Sequence, residues 1–449
     1  MRTNIDDLNE NNILENDVNL HPGVLYFYSE SIAFAVNGIC AFLACLANFG
    51  AVTDESSSKS LIGFMFIVLG GVIQYLASLR SFRANEHFGA TVLSVFSALW
   101  FLLGFEMVLG GSEDDASLPN KLMVACLGQS VLLLAISPFL NAFYMCLMAA
   151  ITGTVVIEII SRFQGDTGAD LSIFHGVVHL LLSFICGYGC VASICRSIHE
   201  RQVLPGFDDA VIESVLWKRK ANVQNYTDGK WANPKPLLYF STSMTMIGVC
   251  YLLEPDYDKG DQFSIANPVL VCWFTVQAFL QWTAVFIFGL RQEILHMADA
   301  LMNSLLSAIV SYSLYMSVEI YIIVGTDAGA WIFLLLGLVR LSFTALDIEI
   351  SSLTSTSDRT FVDILASSLL TLSLIVISIG AWFENTNVIL LRCSEVLLFA
   401  CTLVTLYSAC AEVLNSSAQK QLLPVTFDLF KKKRRDFRPG NSSFLGRYF

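Results

Sequence analysis

Charged residues are scarce in this chain. Asp, Glu, Lys and Arg make up 14% of its 449 residues, whereas soluble globular domains carry about 25%. That scarcity excludes a large soluble enzyme. The twelve cysteines include no Cys-x-x-Cys pair and no adjoining cluster of histidines, so we expect small apolar packing residues rather than a metal or redox centre. The acidic first 20 residues lack the basic start of a cleavable signal peptide.

Long apolar runs dominate the sequence instead. The chain is 55% hydrophobic, its mean hydropathy is +0.62, and about 20 apolar residues suffice for a helix to cross a bilayer. Because backbone groups in lipid must be hydrogen-bonded within their own segment, we predict an all-α, polytopic membrane protein with about twelve transmembrane helices. These spans are predicted near 25–47, 61–80, 88–110, 119–137, 139–163, 173–197, 237–253, 268–290, 299–325, 328–347, 360–383 and 388–414.

Basic residues are unevenly distributed between the two sides of these spans. Loops after odd-numbered spans hold four Lys or Arg residues, and the opposite side holds 20, eight of them in the C-terminal tail. Loops rich in Lys and Arg stay in the cytosol, so both termini are predicted to be cytosolic. The "KKKRR" run at 431–435 is interpreted as an inside-facing anchor, with binding to anionic lipid headgroups as the alternative.

The two halves of the chain resemble each other. The first span opens with "HPGVLYFYSESIAF" and the seventh with "NPKPLLYFSTSMTM". Gln74 corresponds to Gln281, and Tyr188 and Tyr407 each precede a Leu-Pro proline by 17 residues. Internal repeats of this kind are typical of transporters. We predict two parallel six-helix repeats at 21–207 and 233–427, an acidic tail at 1–20, a cytosolic linker at 208–232 and a basic tail at 428–449.

The motifs resemble those of the acetate uptake transporter family, also called the succinate–acetate permeases. That family's first-span motif, N-P-A-P-L-G-L-x-G-F-x-x-T-T, is matched in the second repeat. Its G-G-x-x-Q and N-x-x-F-G-x-T motif is matched in the first repeat, in "GGVIQYLASLRSFRANEHFGATVLSVFSALW". The matching residues are Asn233, Pro234, Pro236, Leu237 and Thr245, and Gly70, Gly71, Gln74, Asn85, Phe88, Gly89, Thr91 and Trp100. The first repeat departs from the first motif at His21, Val24 and Ala33.

This resemblance implies a transporter or channel for small monocarboxylates such as acetate, coupled to a proton. It also implies a homo-oligomer, in which three fused pairs replace a ring of six protomers. The plasma membrane is the expected location, and no cofactor, metal or nucleic-acid partner is expected. The two motifs are split between the repeats, and the second repeat also departs from the first-span motif at Leu238, Ser241, Thr242 and Met246. A degenerate non-transporting subunit or sensor is therefore the alternative. No paired catalytic carboxylates or nucleophile constellation favours an enzyme.

Three sets of residues are candidates for a substrate path. By the resemblance, Asn233, Pro234, Pro236 and Thr245 line it, although a rigid helix start explains the prolines equally well. Gln74 and Gln281 are costly to bury without partners, so they are predicted to face inward. Tyr188 and Tyr407 are predicted to form a narrow gate, with a membrane-interface anchor as the alternative.

Glycines and ionisable residues inside the spans complete the candidates. Small residues let helices approach closely or shape a pore; these positions are Gly70, Gly71, Gly89, Gly128 and Gly337, with Phe88 beside them. Ionisable residues in spans are functional candidates by default; they are Arg340, Glu319, Glu395, Glu30, Glu106, Glu158, His175 and His179. Arg340 is predicted to pair with Glu319 or Glu395, or else to face a cavity and attract a carboxylate.

The two histidines receive a separate prediction. His175 and His179 are four residues apart and share one helical face. Without a third ligand they are not expected to bind a metal, and a proton relay is the functional hypothesis.

Overall fold

The computed structural model describes residues 22–51, 56–84, 87–109, 119–164, 169–199, 203–207, 211, 231–253, 268–315, 327–353, 360–382, 387–418 and 422–425. Every regular element in these ranges is helical, as predicted. The tails, most of the 208–232 linker and Glu319 lie outside the described residues. The predicted domain boundaries therefore stay predictions.

Twelve long helices make up the described chain. Helix α2 is continuous but consists of an α-helical part, a π-helical segment and a second α-helical part. The helices are α1 (Pro22–Asn48), α2 (Ser56–Met65, Phe66–Ile73 and Gln74–Arg83), α3 (His87–Leu109), α4 (Asn120–Ile136), α5 (Ala142–Gln164), α6 (Ala169–His199), α7 (Lys235–Leu253), α8 (Pro268–Leu290), α9 (Ile294–Tyr315), α10 (Asp327–Leu353), α11 (Phe361–Trp382) and α12 (Asn387–Ala418).

Eleven of these helices are long and apolar enough to cross a membrane, counting the described residues alone. The apolar part of α10, Ala330–Leu346, is shorter. At 1.5 Å per residue it still extends about 25 Å, close to the thickness of a hydrocarbon core. The protein is thus a multi-pass helical membrane protein, an architecture compatible with a transporter.

Helix boundaries follow local backbone signals. The turn Ser137–Phe139 separates α4 from α5 at the predicted Ser137-Pro138 break. Helix α9 begins at Ile294, five residues before the predicted start. Gln292 between α8 and α9 has a positive φ of 62°, and this left-handed residue reverses the chain within a few residues. The sequence prediction missed that tight turn because glutamine rarely adopts it.

The two repeats pack their helices in the same way. In each, the first helix packs against the sixth, the second against the third, the fourth against the fifth and the fifth against the sixth. The repeats meet where α3 and α4 contact α7 and α12, with α8 also packed on α3. This pattern is the one expected of two parallel six-helix units.

Fifth-helix starts are capped alike in both repeats. Asn141 accepts a hydrogen bond from the backbone N–H of Tyr144 at 2.7 Å, and Thr360 accepts one from Asp363 at 3.2 Å. Asparagine and threonine side chains at these positions satisfy amides that the helix itself leaves unbonded. Asn141 and Thr360 are 219 positions apart, and so are Tyr144 and Asp363. Tyr144 and Asp363 therefore occupy equivalent positions in the two repeats.

Candidate functional site

A buried carboxylate lies near the end of the first repeat that is predicted to face the cytosol, here called the inner end. Glu30 on α1 is 3% exposed. The Tyr144 hydroxyl on α5 donates to its Oε1 at 2.5 Å, and Ser193 on α6 lies 3.4 Å from its Oε2. Carboxylates within a membrane are expensive to keep and are functional candidates for that reason.

Two cavities continue from this carboxylate through the first repeat. The first is lined by Glu30 and Tyr144 and has about 10 Å³ open to the centre of a water molecule. The second, here called the central cavity, has about 60 Å³. Asn37, Phe96 and Ile151 line both cavities. Since one water needs roughly 10–15 Å³ on this measure, the first is a constriction and the central cavity has room for several waters.

Ionisable side chains lie together at the opposite, outer end of the first repeat. Arg162 on α5 binds both carboxylate oxygens of Glu106 on α3, at 2.7 and 2.9 Å. Its Nε donates to Glu158 at 2.7 Å. His175 Nδ1 on α6 lies 3.8 Å from the other Glu158 oxygen. An arginine fork held by two carboxylates is a strong, oriented interaction. We call these residues, with His179, the outer cluster.

The outer cluster opens onto the central cavity. Glu158, His175 and His179 all line it, and the two imidazole rings are 4.4 Å apart. His179 Nδ1 lies 3.1 Å from the backbone carbonyl of His175. The 18 residues from His175 to Ser193 on α6 extend about 27 Å. Polar groups therefore lie at both ends of cavities that follow most of a bilayer's hydrocarbon thickness.

The glycine-rich stretch forms one wall of these cavities. A Cβ on Gly70 would come within 2.5 Å of Trp100, and one on Gly71 within 2.7 Å of Phe101, so both glycines allow α2 to approach α3. Trp100 donates to Asn37 Oδ1 at 2.7 Å and lines the central cavity, while Gly89 lines the inner one. Close packing is therefore seen at Gly70 and Gly71, and pore shaping stays a prediction.

The remaining packing candidates differ from one another. Phe88 is fully buried and stacks edge-on against Tyr144, 5.1 Å between ring centres. A Cβ on Gly337 would lie 3.0 Å from Ile375, so α10 and α11 approach closely there. A Cβ on Gly128 would meet no atom within 4 Å. The close contact predicted at Gly128 is wrong, because this residue lies on the exposed side of α4.

The second repeat carries a different polar centre at the equivalent inner position. Tyr239 on α7 donates to Asp363 at 2.6 Å, and the buried ammonium of Lys235 lies 3.4 Å from the same carboxylate. Ser408 on α12 is 3.3 Å away. A lysine paired with a carboxylate can be buried at far lower cost than either charge alone.

Arg340 lies deep in the second repeat, 5% exposed. Its guanidinium donates to Asn303 on α9 at 2.6 Å, and Asn303 in turn donates to Thr242 on α7 at 3.0 Å. The pairing of Arg340 with Glu395 is wrong: Glu395 binds Arg392, one turn away on the same helix, at 2.7 Å. Arg340 lines a narrow cavity of about 10 Å³ together with Asp299 and Asp363.

Thr245 and Gln281 belong to a closed network. Gln281 donates to Thr245 at 3.0 Å, Ser307 donates to the Gln281 carbonyl at 2.8 Å, and the two hydroxyls lie 2.9 Å apart. Gln74, the counterpart of Gln281, donates to the Leu93 carbonyl at 3.1 Å, but its Oε1 has no hydrogen-bond partner in the part of the chain that the structure describes. The first repeat has Ala33 where the second has Thr245, and that loss of a hydroxyl explains the difference.

Asn233 joins the two repeats at the inner end. Its side chain donates to Glu412 at 2.7 Å and accepts from the backbone of Lys235 at 3.1 Å. Its own N–H donates to His87, at the start of α3, at 3.3 Å. Pro234 and Pro236 lie beside it, and Pro234 supplies the carbonyl that Leu238 binds at 3.0 Å, so this segment is a rigid helix start.

Tyr188 and Tyr407 make the same contact in both repeats. Each hydroxyl donates to the carbonyl of the proline 17 residues later, Pro205 and Pro424, at 2.7 Å. The rings are 39% and 38% exposed. Neither tyrosine lines the cavities described above. Both hydroxyls are directed to the chain after the sixth helix, which favours an anchoring role, and the gate stays a prediction.

Several contributors to the site escaped sequence reasoning. Asn37, Tyr144 and Ser193 look unremarkable in apolar runs. Arg162 is one of the four Lys and Arg residues that the sequence assigns to the loops after odd-numbered spans, but it lies inside α5. A helical spacing of four between Glu158 and Arg162 was the one signal that could have identified the outer cluster.

Comparisons of the chain with known protein families, with characterised proteins and with solved structures give no match. The resemblance to the acetate uptake transporter family thus rests on the motifs in the sequence.

Proposed function

We propose that the chain is a transporter or channel that passes a small monocarboxylate, such as acetate, through its first repeat together with a proton. The observation that carries this proposal is the succession of two cavities between Glu30 and the outer cluster, with Asn37 lining both. Titratable groups at both ends suit proton uptake and release. The motif resemblance supports the choice of substrate.

The walls of the central cavity suit a small organic acid. Phe96, Leu99 and Leu103 give an apolar surface for a methyl group, and Asn37 and Thr154 offer hydrogen bonds. A carboxylic acid that picks up a proton before it enters avoids the cost of burying a charge. In this proposal the outer cluster receives the acid, and Glu30 accepts the proton at the inner constriction.

The second repeat supports the first rather than conducting. Arg340 and Asn303 occupy its interior and line a cavity of about 10 Å³, whereas the central cavity of the first repeat has about 60 Å³. The plasma membrane, cytosolic termini and a ring of three chains complete the proposal; they follow from the charge distribution and the resemblance.

Uptake of labelled acetate into liposomes that contain the purified protein, driven by an inward proton gradient, tests the proposal. Tyr144→Phe removes the bond to Glu30 and is expected to slow uptake by roughly tenfold or more, since a hydrogen bond to a charged group contributes about 1.5–3 kcal/mol. Tyr239→Phe removes the equivalent bond in the second repeat and should leave uptake within about twofold. Equal losses in both variants would contradict a route through the first repeat.

A degenerate, non-transporting subunit or sensor is the second candidate. The inner constriction favours it, because a cavity of about 10 Å³ admits one water and not an acetate ion. This candidate predicts no uptake by correctly folded protein under a gradient of either direction.

A further inference from the structure

A third cavity lies between the two repeats, and the proposed route does not use it. It has about 30 Å³ open to the centre of a water molecule. Cys126 and Gln129 of α4 line one side, and Met244 of α7 with Trp273 and Gln277 of α8 line the other. We call it the inter-repeat cavity.

Two buried amide side chains of the inter-repeat cavity offer hydrogen-bonding groups. Gln277 is 4% exposed, and its Oε1 has no hydrogen-bond partner among the described residues. Gln129 is 7% exposed, and its amide group can both donate and accept hydrogen bonds. Buried polar groups in proteins are almost always bonded, and an unmet one costs about 1–3 kcal/mol. A ligand that bonds both amides would recover that cost.

The rest of the lining selects for a neutral molecule. No Asp, Glu, Lys, Arg or His side chain of the described chain lines the cavity. An ion without a counter-charge would be expensive to bury there. The remaining walls are apolar except for Ser130, whose hydroxyl already donates to Leu127 at 2.9 Å; they are Val95, Phe96, Ala98, Leu99, Leu102, Leu133 and Val155.

We propose that the inter-repeat cavity binds a short carboxylic acid in its undissociated form. The acid's hydroxyl would donate to the unpartnered carbonyl of Gln277, and its own carbonyl would accept from an amide N–H of Gln129. Its short alkyl group would pack against Phe96, Leu133 and Trp273. The volume suits a molecule of a few heavy atoms, so longer acids are excluded.

This site is separate from the proposed route but adjoins it. Phe96, Leu99 and Val155 line both the inter-repeat cavity and the central cavity. An occupant would therefore press on the same side chains that border the route, and its presence would couple the second repeat to the first. The choice of a carboxylic acid rests on the proposed function, whereas preference for a neutral donor–acceptor molecule rests on the cavity itself.

Acetamide tests the site because it has the size of acetic acid and stays neutral at every working pH. Binding of methyl-labelled acetamide to the purified full chain in detergent is measured by saturation-transfer NMR at neutral pH, beside sodium acetate. Acetamide is expected to bind and acetate to bind at least roughly tenfold more weakly. Acetic acid should match acetamide once the pH is lowered enough to protonate it.

Two substitutions of matched shape identify the site. Gln277→Met and Gln129→Met keep the side-chain length and remove the amide, and each is expected to weaken acetamide binding by roughly tenfold. Gln292→Met, at the exposed turn before α9, makes the same chemical change outside the cavity and should bind like the parent chain. Thermal unfolding confirms that each variant is folded.

Three results would overturn the inference: no acetamide binding by the folded parent chain, equal binding of acetamide and acetate, or unchanged binding in both cavity variants. The acetate-uptake assay with Tyr144→Phe tests the transport proposal independently of this cavity. Uptake without acetamide binding would refute only the inter-repeat site, and binding without uptake would refute only the transport proposal.

Discussion

Tyr144 and Asp363 occupy equivalent positions on α5 and α11, yet one donates and the other accepts the central hydrogen bond of its repeat. Tyr144 donates to Glu30 on α1, whereas Asp363 accepts from Tyr239 on α7. The carboxylate thus lies on the first helix of one repeat and on the fifth helix of the other. Each tyrosine–carboxylate pair lines a cavity of about 10 Å³, and the cavity in the first repeat adjoins the central cavity.

Loss of Arg162 should destabilise the outer cluster. Arg162→Met leaves Glu106 and Glu158 close together without their shared cation, and breaking a buried ion pair costs about 3–5 kcal/mol. Because Arg162 and Glu106 are about one-sixth exposed and Glu158 is 27% exposed, we expect the lower end of that range. The measurement is chemical unfolding in detergent. The double variant Arg162→Met with Glu106→Gln should recover part of the loss; if it is no more stable than Arg162→Met alone, the proposed charge coupling is absent.

Comparing Gly70→Ala with Gly128→Ala separates the cost of a steric clash at Gly70 from the general effect of alanine on helix stability. Gly70→Ala places a methyl group within 2.5 Å of Trp100, and overpacking of this kind costs about 1–3 kcal/mol. Gly128→Ala meets no neighbour and should leave the unfolding free energy unchanged or raise it by up to about 1 kcal/mol. Equal melting temperatures for the two variants would refute the close approach of α2 and α3.

Substitution of Tyr188 and Tyr407 tests whether these tyrosines form the predicted gate. Tyr188→Phe and Tyr407→Phe each lose one hydrogen bond to a proline carbonyl and should lower stability by about 1 kcal/mol. The rate of acetate uptake by each folded variant should stay within about twofold of the rate of the parent chain. A tenfold loss of uptake in either folded variant would support the gate and contradict the anchoring role.

Lys235 and Asp363 form a buried ion pair in the second repeat, 3.4 Å apart. Asp363→Asn leaves the ammonium of Lys235 without this partner and should lower the unfolding free energy by about 3 kcal/mol. Adding Lys235→Met should restore most of it, since a buried pair can be replaced by apolar groups at little cost. Thermal unfolding of the single and double variants in detergent measures both effects, and an additive loss would argue against the pair.

The fold was predictable from the sequence because its main determinant is local. Each apolar run of about 20 residues has one stable structure in lipid, so twelve helices and their order follow from hydropathy alone. The repeat followed from matching positions such as Tyr188 and Tyr407. The turn at Gln292 did not, because it depends on a single unusual backbone angle.

The site was predictable only where a residue is costly in lipid. Glu30, His175 and His179 were identified because an ionisable group in an apolar run needs a reason to be there. Asn37 and Tyr144 escaped, since an asparagine or tyrosine in a span is common and its direction depends on how helices rotate against one another. The same limitation led to the wrong partner for Arg340: charge alone favoured Glu395, but the packing of α9 supplied Asn303 instead.

The π-helical segment Phe66–Ile73 gives α2 wider turns than its counterpart α8, which is α-helical throughout. A π turn holds roughly one residue more than an α turn over the same length. Shortening this segment by one residue would tighten the coil and leave Gln74 where it is. The same deletion inside Gln74–Arg83 would rotate every later side chain of α2 by about 100° about the helix axis. The contacts at the inner end of α2 would then be lost. Helix α2 therefore tolerates a change of length in its π-helical segment but not in its last α-helical part.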